Sequence, residues 1–208
     1  MSLWIDHVIV GVSDLDAAAG RFLGELGLDS LPGGRHPGWG TGNRIVPLGQ
    51  DYIELLAVVD PDEAATSEIG RLFASRIGSR DGPIGWCVAT DELTDVAGRL
   101  GLPINTGSRA LPDGSFLRWR AAGPERALVD PSLPFFITWD IPEERHPGKD
   151  TVRHKFEPRG ISWIEVGGDA ARLLDWLGSD ELPVRVTPGP SAVLAVGIET
   201  AAEEIVLR

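Results

Sequence analysis

Apolar runs of strand length alternate along the chain with short amphipathic stretches, and the alternation repeats. Leu3 to Val12 is an apolar run that carries a histidine, His7, and passes straight into a helix-forming stretch, Ala17 to Leu26. Ser13 with Asp16 three residues on approximates a capping box for that helix. Weaker versions return at Ile84 to Thr90, ahead of a helix near Asp91, and at Gly160 to Val166, ahead of one near Asp169. A strand–helix start recurring at intervals of roughly 80 residues predicts a duplicated supersecondary unit.

The same patterning predicts the rest of each unit. The first reads as strand 3–12, helix 14–26, extended segments near 29–35, 43–49 and 51–59, and a short turn at Gly49 to Asp51. Pro61 to Ile77 reads as one connecting helix, with proline in its first turn and Gly78 beyond its end. The second reads as strand 84–90, helix 91–100, strands near 105–111, 115–121 and 133–139, and a Pro112-Asp113-Gly114 turn. Residues 141–159, rich in proline, glycine and charge, read as a linker. A third unit follows, with strand 160–167, helix 169–178 and short strands near 184–187, 191–199 and 203–208. The expected fold class is α+β, built from repeated βαβββ modules. Two of them (1–60 and 83–140, joined by the connector 61–78) form a cup-shaped curved mixed sheet with helices outside. A third βαβββ-like module spans 160–208. A concave face built from both modules is where a small molecule would sit.

Composition narrows the function classes. With 208 residues and 42% hydrophobic side chains the chain has ample material for a core. The net charge of -12 and the lack of a basic cluster argue against nucleic acid and anionic membranes as partners. The chain has neither a membrane-length apolar run nor a signal-like start, and its one cysteine cannot form an internal disulfide, so the cytoplasm is the expected location.

Asp6 to Asp16, Gly33 to Leu48, Tyr52 to Val58, Pro112 to Trp119 and Phe135 to Asp140 together resemble the glyoxalase-like domain group of the vicinal oxygen chelate superfamily (the glyoxalase, bleomycin-resistance and extradiol-dioxygenase proteins). In metal-using members of that superfamily, one divalent ion is held by residues on the first and last strands of two modules. The resemblance puts His7 and Glu54 in the two positions of the first module, donors suited to Fe, Mn, Ni, Co or Zn. It puts Gly85 and Thr138 in those of the second, which leaves the metal site incomplete, since about three protein ligands are usual for catalytic ions. The glycine-dense segment His36 to Asn43 lacks a Gly-Lys-Ser/Thr ending and precedes a strand rather than a helix, so no nucleotide cofactor is expected. Two function classes follow. One is a metal-assisted lyase, isomerase or oxygenase; the other is a metal-free protein that binds or sequesters a small molecule.

Each candidate residue has a functional and a structural reading. His7 is a site residue or a buried histidine with a hydrogen-bonded neighbour. Glu54 is a metal ligand, a general base, or the partner of Arg44 across the hairpin. His36, Trp39 and Asn43 belong to a glycine-dense segment that is a flap over the cup or an ordinary loop. Arg118 and Arg120 share one face of a strand and Trp119 takes the other; the arginines bind a carboxylate or edge the sheet in solvent. Thr138 is a weak polar contact for substrate. Cys87 reads as core, His146 and His154 as exposed linker residues able to fold back on the site, and Trp163 and Trp176 as packing bulk. With three modules per chain, a homodimer closed through the third is the simplest even arrangement.

Overall fold

Strand β1 (Leu3–Gly11) is the hub, because both of its neighbours come from distant parts of the chain. It runs parallel to β4 (Tyr52–Val58) and antiparallel to β5 (Gly82–Thr90). The other strands are β2 (Leu31–His36), β3 (Thr41–Pro47), β6 (Ile104–Ala110), β7 (Phe116–Ala122) and β8 (Phe135–Trp139), giving the order β2-β3-β4-β1-β5-β8-β7-β6. Each half is therefore a βαβββ module whose first strand pairs with its last. The eight strands curl until the outermost two, β2 and β6, touch, so the sheet is a nearly closed cup. These are features of a computed structural model that describes residues 2–77, 81–111, 114–178 and 181–208.

Side-chain alternation sorts the central strands into two environments. Val8 and Val10 of β1, with Trp86 and Val88 of β5, enter the main core on the convex side, while His7, Ile9 and Cys87 face the concave side. Helices α1 (Leu15–Arg21) and α4 (Leu93–Leu100) lie outside. The capping group of α1 is Asp14, not Ser13: the Asp14 carboxylate accepts from the Ala17 N–H at 2.7 Å, and the Ser13 N–H donates instead to Asp81. The connector is two helices, α2 (Pro61–Thr66) and α3 (Glu68–Arg76). Ser67 is extended and caps α3 through Gly70, which lies so close to Ala64 that a β-carbon would stand 2.4 Å from its carbonyl oxygen. Gly78 and the Pro112-Asp113 pair lie outside the described residues. A short helix absent from the sequence reading, α5 (Pro124–Val129), intervenes between β7 and β8 and begins with proline after a left-handed Gly123.

The third unit comprises β9 (Pro158–Gly168), α6 (Ala170–Leu177), β10 (Val184–Pro188), β11 (Ala192–Thr200) and β12 (Glu204–Leu207). Its elements follow the βαβββ sequence but pair differently, in the order β10-β9-β11-β12. Here α6 returns the chain to a strand directly beside and parallel to β9, an ordinary βαβ crossover, whereas α1 and α4 each lead to an outer strand. Ile161, Ile164, Val196 and Ile198 share one core with Val8, Trp86 and Phe136. The third unit thus covers the convex back of the cup within the same chain. Its apolar face needs no second subunit, which removes the packing reason for a dimer closed through it.

The segment 141–157 is not a solvated linker. It makes two single helical turns, Glu143–Arg145 and Pro147–Lys149, and lies as a strap across the first module. The Gly49 N–H donates to the Gly148 carbonyl at 2.8 Å and the Lys155 N–H to Gly27 at 2.7 Å. Gly148 approaches Asp51 so closely that a β-carbon would sit 2.5 Å from the Asp51 carbonyl oxygen. His154 accepts from the Asp29 N–H and donates to the Pro47 carbonyl. Its charge-rich composition suggested exposure; its backbone and histidines supply the docking instead.

Candidate active site

A register shift in β1 between Ile5 and His7 lets two successive residues, Asp6 and His7, interact through their side chains. His7 Nδ1 lies 2.5 Å from Asp6 Oδ1, with Asp6 wholly buried. The other Asp6 oxygen accepts from Trp139 Nε1 at 2.8 Å and pairs with His146 Nε2 at 3.0 Å. Because His146 Nδ1 accepts from the Gly148 N–H, its proton is assigned to Nε2, so the strap histidine donates to Asp6. Burial by itself would raise the Asp6 pKa, but the hydrogen bonds from His146 and His7 outweigh it and hold the carboxyl well below the usual range. Asp6 is therefore an ionised anchor that fixes the Nδ1–H tautomer of His7 and leaves Nε2 towards the cavity.

Glu54 of β4 meets that nitrogen. Its Oε2 lies 3.7 Å from His7 Nε2, while Oε1 accepts from Asn43 Nδ2 at 2.6 Å and lies 3.9 Å from His36 Nε2. Arg44 is not its partner: neighbouring strand positions face opposite ways, and Arg44 reaches Asp16 and Ser30 on the outside. The His7 ring stacks on Tyr52 with centroids 4.6 Å apart and takes the edge of Phe135 at 5.5 Å. His36 is half-buried with Nδ1 at 2.9 Å from Thr41 Oγ1; desolvation lowers its pKa, the Glu54 carboxylate works against that, and the Arg109 charge adds to it. Burial, then Asp6 and Glu54, raise the Tyr52 phenol and the Cys87 thiol well above their ordinary values, so neither is ionised at neutral pH.

These groups line a cavity of about 120 Å³ on the concave face. That holds roughly ten water-sized groups, the bulk of a small organic molecule. His7, His36, Trp39, Asn43 and Glu54 all border it. The glycine-dense segment is a pinned turn, with the Gly38 N–H donating to Glu63 and Gly40 pressed against Asp60, so it holds Trp39 in place at the mouth. The second module contributes mostly apolar walls, among them Leu117, Trp119, Phe135 and Ile137.

Three expected contacts lie elsewhere. Arg118 is exposed over Phe116, and Arg120 forms a two-pronged pair with Asp140; on β7 it is Trp119, between them, that turns inward. Thr138 points away from the cup and donates to the Thr90 carbonyl. Its place opposite Glu54 is also displaced. Glu54 pairs with Ile9, six residues before α1, and the residue six before α4, Cys87, pairs with Phe135. Phe135, not Thr138, is the counterpart of Glu54.

The donor set does not fit a substrate-binding metal ion. Glu54 and His7 stand close enough to share one, but the second module offers Gly85 and Phe135, which have no ligand atoms. Among the described residues the one group of three donor side chains within 4.8 Å is Asp6, His7 and Cys87. Asp6 and Cys87 lie behind the cavity wall, both Asp6 oxygens are already engaged, and the thiol resists ionisation, so no coordination position there faces a ligand.

A family model described as glyoxalase-like domain matches residues 5–180. The chain belongs to the glyoxalase-like domain family. The family's match extends through the strap into the third unit. A hypothetical protein from Staphylococcus aureus is similar in structure, at 21% identity and TM-score 0.75, over 97% of this chain and 93% of that one. Methylmalonyl-CoA epimerase from Mycobacterium tuberculosis, of the vicinal oxygen chelate superfamily, is similar at 20% identity and TM-score 0.45, over 65% of this chain and 86% of its own. Hypothetical protein BH1468 from Bacillus halodurans is similar at 16% identity and TM-score 0.45, over 67% of this chain and 94% of that chain. At such identities the likeness is one of fold. No curated protein sequence matches the chain.

Two residues at the candidate site, Asp6 and Arg109, had no role in the sequence reading. Asp6 was visible as a carboxylate inside an apolar run next to a histidine, a costly place for an unpartnered charge. Arg109 carried no signal, because its position depends on β6 curling round to β2.

Proposed function

We propose that this glyoxalase-like protein is an enzyme that moves protons on a small carbonyl compound, using Glu54 and His7 and no substrate-bound metal. The observation that supports this is the chain of contacts Glu54–His7–Asp6–His146, which ends at a carboxylate and an imidazole nitrogen on the wall of an apolar cavity. Glu54 Oε2 and His7 Nε2 share one mobile proton in the reactive form. The group without it removes the proton from carbon next to the carbonyl, and the group with it donates to the carbonyl oxygen. The substrate becomes an enol, and reversal returns a proton to carbon. Ionised Asp6 balances the charge that arises when His7 takes up a proton, the orienting role of a buried carboxylate behind a catalytic histidine. Apolar walls keep water from the enol. Such a step serves an isomerase or a lyase.

The test is hydrogen–deuterium exchange at carbon, followed by proton NMR in heavy water, across a panel of small enolisable ketones, 2-oxo acids and their amides. At least one member should lose its exchangeable C–H signal with wild-type protein, with the rate falling about 10²- to 10⁴-fold in Glu54→Gln. The second reading, sequestration without chemistry, is favoured by the aromatic wall of Trp39, Trp119 and Phe135. Binding in the cup with no exchange above the Glu54→Gln level would establish it and end the first.

A further inference from the structure

Arg109 borders the cavity yet has no assigned partner. It stands on β6, the outermost strand of the second module, and reaches across the seam of the cup to β2. Its guanidinium and side-chain stem lie over Gly33 and Gly34: a β-carbon on Gly33 would come within 2.8 Å of Nη1, and one on Gly34 within 2.6 Å of Cδ. The two glycines leave the room that this crossing needs. Asn43 lies at the same spot, its Oδ1 accepting from the Gly34 N–H and its Nδ2 donating to Glu54. Arg109 is therefore beside the group that holds the proposed base.

Among the described residues, no carboxylate is hydrogen-bonded or ion-paired to the Arg109 guanidinium. Asp150, on the strap, interacts with it only at longer range. Other arginines are engaged: Arg35, Arg44 and Arg120 each hold an acidic partner, and Arg76 and Arg99 donate to backbone carbonyls. In a chain with 31 acidic and 19 basic residues, a guanidinium on the wall of an apolar cavity, with no hydrogen-bonded partner among the described residues, is placed to take an anion from outside.

We infer that Arg109 anchors the carboxylate of the substrate, which makes the ligand a small organic acid with an apolar body. This rests on the cup being the substrate site. The planar fork of a guanidinium takes a carboxylate through two parallel hydrogen bonds, which fixes orientation as well as charge. Held by Arg109 at the β2–β6 seam, the acid places its apolar part against Trp119 and Phe135 and its enolisable carbon towards Glu54. A 2-oxo acid of about nine non-hydrogen atoms fills the space.

The probes are 4-methyl-2-oxopentanoate and its uncharged primary amide, titrated into wild-type protein, Arg109→Gln and Arg109→Lys by calorimetry, with exchange at C3 read by NMR on the same samples. The acid should bind wild type about 10- to 100-fold more tightly than the amide. Arg109→Gln should erase that preference, and Arg109→Lys, which keeps the charge without the fork, should recover part of it. Unchanged melting temperatures check that the variants fold. Equal affinity of wild type for acid and amide, or absence of binding by both, overturns the assignment. An acid preference lost in Arg109→Gln but unaccompanied by exchange at C3 leaves the anchor standing and counts against proton transfer. Exchange of the amide with no acid preference does the reverse.

Discussion

The two halves of the cup have the same strand order and opposite chemistry. Around the cavity the first half supplies His7, His36, Asn43, Tyr52 and Glu54, while the second supplies Gly85, Leu117, Trp119, Phe135 and Ile137, with Arg109 its one charged contribution. Across the central strand pair His7 faces Cys87, whose thiol is buried and uncharged. Duplication has kept the container and divided the labour. One half carries a connected polar network and the other a dry wall. The strap leans towards the first half, where His146, Gly148 and His154 hydrogen-bond, while on the second Arg145 donates to Ser115 and His146 meets the Trp139 ring.

If the first half alone runs the chemistry, its loss should be severe. Glu54→Gln keeps the shape and an oxygen for Asn43 but removes the base, and should lower the exchange rate about 10²- to 10⁴-fold with little change in affinity. The same rate in Glu54→Gln as in wild type would place the base elsewhere. The asymmetry should also be reversible in the sense of metal binding. Gly85 borders the cavity, and a β-carbon there would meet nothing nearer than Ile9 at 3.9 Å. Gly85→His should therefore add a third donor to His7 and Glu54 and raise zinc affinity at least about tenfold over wild type, since three protein ligands suffice for an open zinc site. Equal zinc affinity in the two proteins, measured by competition with a chelating dye, would show that the second half is not what limits metal binding.

His146 tests whether the strap belongs to the network or only covers it. It touches no substrate and acts by donating to Asp6, so it is a positioning residue. His146→Ala should slow exchange about tenfold, in the range seen when outer-shell partners of functional histidines are removed. It should also move the pH–rate profile, because Asp6 then shares its charge with fewer donors. His146→Gln, which keeps a donor, should recover part of the rate. A fall in melting temperature with rate and profile unchanged would reduce the strap to packing.

How much of this was legible in the sequence follows the same contrast. Strand and helix starts could be read because alternation and capping are local, and His7 and Glu54 stood out as polar groups inside apolar strands. Arg118 and Arg120 misled because period-two alternation says that two residues share a face but not which face looks inward. Thr138 misled because the register of β8 is set by pairing with β5, across the inserted α5. The pairing order of the third unit is likewise long-range information. His146 looked exposed because a charged, proline-rich stretch resembles a linker, and only the tertiary fold brings it to Asp6.

The smallest expected effect concerns how the strap and third unit hold the first half. Asp51, in the β3–β4 turn, is buried against Gly148 and Gly160 and accepts from the Ile161 N–H. Burial raises its pKa from 3.8 to about 6, and the Ile161 hydrogen bond offsets part of the rise. The folded protein thus holds this proton more tightly than the unfolded chain. Between those two values folding takes up a proton, so the contribution of Asp51 to stability is greatest at the acid end and is lost as pH rises through about 6. The magnitude is on the order of 1–3 kcal/mol. Asp51→Asn keeps an acceptor for Ile161 without the charge, and should be more stable than wild type at pH 7 by about that amount, with the pH slope flattened. Urea denaturation at several pH values spanning the two pKa values would measure both. A variant less stable than wild type at pH 7 but equal to it near pH 4 would mean that the charge itself helps to hold the strap, and that the first half is fastened by an ion rather than by a neutral hydrogen bond.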